Sequence, residues 1–122
     1  MNMTKKVLVI GASEKPFRFS NKAVRLLRNY DYEVEAIGLR PGKIFDVEII
    51  TGFPDLKDIN SITLYIGPAR QPVYYDYILN LKPERIIFNP GTENVVFKEM
   101  AKSRGIEVVE NCTLVMLNSG IF

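Results

Sequence analysis

The chain has 122 residues, 47% of them hydrophobic and 25% charged, with a formal net charge of +2, no histidine and one cysteine. This length supports one compact domain with an ordinary core, and the composition leaves no room for a disordered tail or a collagen-like repeat. The small charge excludes nucleic acid as a partner on charge grounds. The missing histidines remove the commonest general base and metal ligand, and the lone Cys112 excludes an intrachain disulfide or a cysteine-cluster zinc site.

Lys6–Ile10 is a continuous apolar run of strand length, as expected for a strand covered on both faces and far too short to cross a membrane. With no targeting segment ahead of it, a cytoplasmic location is the expectation. Ser20 is placed to cap a helix in which Ala23, Val24 and Leu27 face inward while Lys22, Arg25 and Arg28 stay in water. Glu33–Ile37 reads as a second strand, residues 38–43 as a loop, Val47–Ile50 as a minor strand, and residues 54–58 as a helical turn at most. Residues 61–66 form the next strand, ended by Gly67-Pro68. The spacing of Val73, Tyr74, Tyr77, Ile78 and Leu81 predicts a helix over residues 71–81, with Pro72 in its first turn. Arg85–Phe88 is a strand cut off by Asn89-Pro90-Gly91. Thr92 or Asn94 then caps a helix whose inner face is Val96, Phe97, Met100 and Ala101, and Gly105 sits where a left-handed cap belongs. Residues 106–109 are the last strand, and residues 112–117 a closing helical turn.

Strands that alternate with helices through short connections predict a parallel sheet with helices on both faces. The expected fold is a Rossmann-like, doubly wound, three-layer α/β/α domain over residues 1–122, with strand order 3-2-1-4-5-6. That order has a switch point between the first and fourth strands, where open α/β sheets bind ligands beyond the strand carboxyl ends. The charge is distributed to match. Up to residue 43 nine basic residues face four acidic ones, leaving +5, and the remainder carries −3, so the first third is suited to an anion.

Four loops carry the candidate chemistry. Gly11-Ala12-Ser13 lets the backbone turn tightly before a helix N-terminus, and Arg18 and Ser20 add donors, a combination suited to phosphate. The dinucleotide fingerprint would need glycines at 13 and 16, where this chain has Ser13 and Pro16. Arg40-Pro41-Gly42-Lys43 follows the second strand, where an acidic residue would take ribose hydroxyls and a basic one accommodates a ribose phosphate. Arg40 can hold phosphate bidentately, with Lys43 as a point charge, which points to coenzyme A or NADP. The strand ends Tyr65-Ile66-Gly67-Pro68 and Asn89-Pro90-Gly91-Thr92 let a flat group pass close by. Each loop taken alone is equally an ordinary turn with solvated charges.

Lys6 to Ser13, Arg18-Phe19-Ser20-Asn21-Lys22-Ala23, Arg40-Pro41-Gly42-Lys43 and Gly67-Pro68, in that order, resemble the stand-alone CoA-binding domain proteins. Those are similar to the N-terminal CoA-binding domain of the succinyl-CoA synthetase α subunit. The resemblance runs from Lys5 to about Leu117. It implies that Gly11, Ala12, Ser13, Arg18, Phe19 and Ser20 hold CoA phosphates, Lys43 the nucleotide end, and Ile66, Gly67 and Pro68 a strand-end contact. Glu14 places an anion near those phosphates. The synthetase's catalytic histidine lies in a second domain, so synthetase activity is not implied.

Catalysis has little to work with, since Ser13 and Cys112 lack an activating base that any motif places nearby. Cys112 reads as a packing residue, and Tyr74, Tyr75 and Tyr77 as core or dimer packing. The expectation is therefore a non-catalytic carrier, sensor or regulatory module that binds CoA or an acyl-CoA, with a homodimer or a protein partner left open. The alternatives are a fragment of an NADP-dependent oxidoreductase and an interaction domain without a ligand.

Overall fold

The computed structural model describes residues 5–122. Its elements in chain order are β1 (Lys6–Ile10), α1 (Phe19–Asn29), β2 (Glu33–Ile37), β3 (Gly42–Ile44), β4 (Val47–Ile50), β5 (Ile59–Leu64), α2 (Tyr75–Leu81), β6 (Arg85–Phe88), α3 (Val95–Ser103), β7 (Glu107–Glu110) and α4 (Thr113–Asn118). The seven strands form one sheet in the order β3-β4-β2-β1-β5-β6-β7. All neighbours are parallel except β3 and β4. The six strands read from the sequence keep their 3-2-1-4-5-6 order, and β3 is an added edge strand.

β1 sits at the centre because, after Lys6 at its start, nothing in it needs water. Val7, Leu8, Val9 and Ile10 are all fully buried, and their alternation divides the core in two. Leu8 and Ile10 point to one face with Ile62, Leu64, Ile86 and Phe88, beneath Ile78 of α2 and Phe97 of α3. Val7 and Val9 point to the other with Ala36 and Ile49, beneath Val24 and Leu27 of α1 and Leu117 of α4. Phe97 meets Phe88 edge-on, with ring centroids 5.9 Å apart, and stacks on Tyr75 at 4.4 Å. Burying an aromatic ring of this kind is worth several kcal/mol, which makes Phe97 the main anchor of α3.

Several local expectations are corrected. Gly42 and Lys43 belong to a strand rather than a loop, because Phe45 takes a left-handed φ of 53° and turns β3 back onto β4. Glycine or asparagine usually marks such a turn, so the hairpin had no sequence signal. The helix expected over residues 71–81 is α-helical only from Tyr75, since Pro68 and Pro72 each begin a separate short 3-10 turn. Val73 consequently points outward. Ser20 is no cap: Arg18 occupies that position, and Ser20 is buried inside the first turn. Asn94, not Thr92, caps α3, accepting the Phe97 amide at 3.1 Å, and Val96 faces solvent. Gly105 has the left-handed φ, 76°, expected after α3.

Between β5, β6 and α4 lies a buried polar network centred on Asn89. Its Nδ2 donates to Thr63 Oγ1 at 2.6 Å and to the Leu64 carbonyl at 2.8 Å, and its Oδ1 accepts the Thr113 amide at 2.8 Å. The Thr63 and Thr113 hydroxyls share a further bond of 2.7 Å. Removing one partner from a buried network leaves the others unsatisfied. Asn89→Ala is therefore expected to cost about 2–4 kcal/mol, read as a lower urea midpoint at unchanged slope.

Candidate functional site

A cavity of about 400 Å³ opens beyond the carboxyl ends of β1, β2 and β5, at the point where the sheet order reverses. Its walls are the loop after β1, the turn after β2 and the loop after β5.

The β1 loop is fixed by the backbone. The amides of Gly11 and Ala12 both donate to the Ile37 carbonyl at 2.9 Å, tying the end of β1 to the end of β2. Gly11 has φ +99°, and a Cβ there would lie 2.9 Å from the Tyr65 carbonyl oxygen. Gly38 is tighter still, since a Cβ would fall 2.4 Å from the Ala12 carbonyl oxygen. Beyond Ser13, the Asn21 side chain donates to the Ser13 carbonyl at 2.9 Å and fastens the loop to α1. No side chain caps α1 and its first turn holds no acid, so its leading N–H groups and dipole favour an anion.

Four cations reach the cavity from three loops: Lys15 and Arg18 after β1, Arg40 after β2 and Arg70 after β5, all exposed. The one acid on the wall, Glu14, accepts the Lys43 amide at 2.9 Å. Positive charge is thus in excess, and the guanidinium groups are free to take phosphate in paired hydrogen bonds. A second depression, of about 240 Å³ at the amino ends of β1, β2 and β4, is lined by two cations and three acids. There Arg28 pairs with Asp46 at 2.9 Å and Lys6 with Glu35 at 3.9 Å.

Of the residues singled out in the sequence, Gly11, Ala12, Ser13, Arg18, Arg40 and Ile66 line the cavity together. Phe19, Ser20, Lys43, Gly67 and Pro68 adjoin its loops without lining it. Asn89 has its side chain fully engaged in the buried network, and Pro90 and Gly91 do not line the cavity. Tyr65, read with Ile66 as part of a strand end, lines the cavity as well. Sequence reasoning did not single out Lys15, Leu39 and Arg70 as lining residues, although Arg70 carried a usable signal as the one cation in the loop after Gly67.

The phenol of Tyr65 is buried and its hydroxyl has no hydrogen-bond partner among the described residues. Burial pushes its pKa up to about 12, with the nearby Thr113 and Thr63 hydroxyls pulling the other way. Among the described residues there is no cluster of three or more histidine, cysteine or acidic side chains that could hold a metal, and no helix long and apolar enough to cross a membrane.

Residues 5–118 match the family described as CoA binding domain. The chain belongs to that family. As a CoA-binding domain it is also similar to solved structures. An uncharacterized protein is 41% identical, with a TM-score of 0.95 over 99% of this chain and 100% of the other. The Thermus thermophilus protein described as cell-free ID.343 shares the fold at 24% identity, with a TM-score of 0.86 over 98% and 91% of the two chains. A hypothetical protein from Pyrococcus horikoshii does so at 19% identity, with a TM-score of 0.84 over 97% and 84%. No curated protein matches this CoA-binding domain.

Two predictions follow from the geometry. Gly38→Ala forces a methyl against the Ala12 carbonyl, so it should lower stability by about 2 kcal/mol or more and part the two rim loops, seen as a loss of amide protection at Gly11 and Ala12. A tyrosine whose folded pKa exceeds its unfolded value of about 10 binds its proton more tightly when folded, so stability is intact below pH 10 and falls as the pH rises towards 12. Tyr65→Phe, which removes a buried unpartnered hydroxyl, is expected to be neutral or slightly stabilising at pH 7 and to flatten that alkaline decline in urea titrations.

Proposed function

We propose that this CoA-binding domain takes coenzyme A or an acyl-CoA into the cavity at the β1/β5 switch point and acts as a non-catalytic carrier, sensor or regulatory module. The observation that carries the reading is the convergence of Arg18, Arg40 and Arg70 from three separate loops onto one cavity beside an uncapped helix N-terminus. A ligand with phosphates at two separated places makes use of such an arrangement. The diphosphate lies towards Arg18 and the N-terminus of α1, and Arg40 takes the 3′-phosphate of the ribose. Lys43 contributes less than its place in the sequence implies, since it does not line the cavity.

The non-catalytic part of the reading is supported by the side chains at hand. The cavity wall offers arginines, a lysine, one carboxylate already engaged and a tyrosine held protonated by burial. Cys112 is half-buried at the start of α4 and does not line the cavity. An NADP site is disfavoured because Ser13 and Pro16 replace the glycines that let a dinucleotide's diphosphate lie tightly on the helix.

Calorimetry with CoA and 3′-dephospho-CoA tests the reading. CoA should bind more tightly by roughly 10- to 100-fold, the value of one or two charge-assisted hydrogen bonds, and Arg40→Ala should remove most of that difference. Equal affinity for the two ligands contradicts the assigned role of Arg40, and tight NADPH binding without CoA binding contradicts the ligand class.

A further inference from the structure

Glu14 is the one acid on the cavity wall, and its carboxylate joins the loop after β1 to the turn after β2 at the point where that turn enters β3. Its Oε2 accepts the Lys43 amide at 2.9 Å, across 29 positions of the chain. The side chain lies flat on Gly42, where a Cβ would sit 2.4 Å from Glu14 Cδ and 2.6 Å from Cγ. A side chain at position 42 would therefore displace the Glu14 side chain from this seat. One of the two loops carries Arg18 four residues beyond Glu14, and the other carries Arg40 two residues before Gly42. Their roots are joined by the bonds of Gly11 and Ala12 to Ile37, and Glu14 joins them again nearer their tips.

We propose that Glu14 is a positioning residue for ligand binding. Its carboxylate, seated on Gly42 and bonded to the Lys43 amide, fastens the Arg18 loop to the Arg40 turn and sets the spacing between the two guanidinium groups. The inference rests on the CoA reading for the identity of the ligand, and the fastening itself is a property of the unliganded chain. Simple electrostatics makes the opposite prediction. An acid on the wall of an anion site weakens binding, so its removal should tighten it.

The test compares Glu14→Ala, Glu14→Gln and Gly42→Ala with the unaltered protein, using CoA and 3′-dephospho-CoA as ligands and amide hydrogen exchange at Lys43. Glutamine keeps an acceptor oxygen and the same length. Glu14→Gln should therefore protect the Lys43 amide and keep the preference for CoA. Glu14→Ala and Gly42→Ala should expose that amide and weaken CoA roughly tenfold, while 3′-dephospho-CoA, which makes no use of Arg40, changes much less. Selective loss of the ribose-phosphate preference distinguishes positioning from general destabilisation, which would weaken both ligands alike. Tighter CoA binding by both Glu14 variants, or equal Lys43 exchange in all four proteins, overturns the proposal. If the unaltered protein binds neither ligand, the CoA reading fails on its own, and the exchange measurement still decides the fastening.

Discussion

The amides of Gly11 and Ala12 converge on one carbonyl oxygen, that of Ile37, and this pair of hydrogen bonds at the ends of β1 and β2 sets the position of the loops around the cavity. It brings the two backbones so close that Gly38 has no space for a methyl group. It turns the chain out of the sheet at a left-handed Gly11, aims α1 at the opening, and leaves Arg18 and Arg40 on facing loops. Asn21, bonded to the Ser13 carbonyl, and Glu14, bonded to the Lys43 amide, extend the same constraint outward. A cavity built largely from backbone is preorganised, so little ordering remains to offset binding.

The central architecture was legible in the sequence because it depends on burial. A run such as Val7 to Ile10 has no polar residue to place at an edge, and the alternation of such runs with amphipathic helices leaves few topologies. The six-strand order and family resemblance both followed. What was not legible depended on backbone conformations that residue types did not advertise. Phe45 adopts a left-handed turn usually given to glycine or asparagine, and so concealed β3. Pro68 and Pro72, each compatible with the first turn of a helix, instead split residues 68–74 into two 3-10 turns.

The site was legible to a similar degree, for a related reason. Gly11, Ala12, Ser13, Arg18 and Arg40 follow strands whose ends the pattern placed well, and they meet at the cavity. Asn89 follows a strand equally well placed, yet its amide faces inward to Thr63 and Thr113. A polar residue after a strand can serve either a ligand or the core, and only the packing of α4 against the sheet decides which. Glu14, read in the sequence as an anion beside phosphates, is held by the Lys43 amide, so an apparent conflict of charge becomes a structural contact.

Electrostatics separates these two depressions. At the amino ends of β1, β2 and β4 each cation has its carboxylate, whereas beyond β1 and β5 the arginines outnumber the single acid. The central claim, that an anionic nucleotide binds at the switch point, is tested most directly by following backbone amide resonances as CoA is added. The account predicts that shifts concentrate at Gly11, Ala12, Ser13, Arg40, Ile66 and Arg70, with Lys6, Glu35 and Asp46 unmoved. Shifts centred on Lys6, Arg28 and Asp46, or none around Gly11 at saturating CoA, would contradict it.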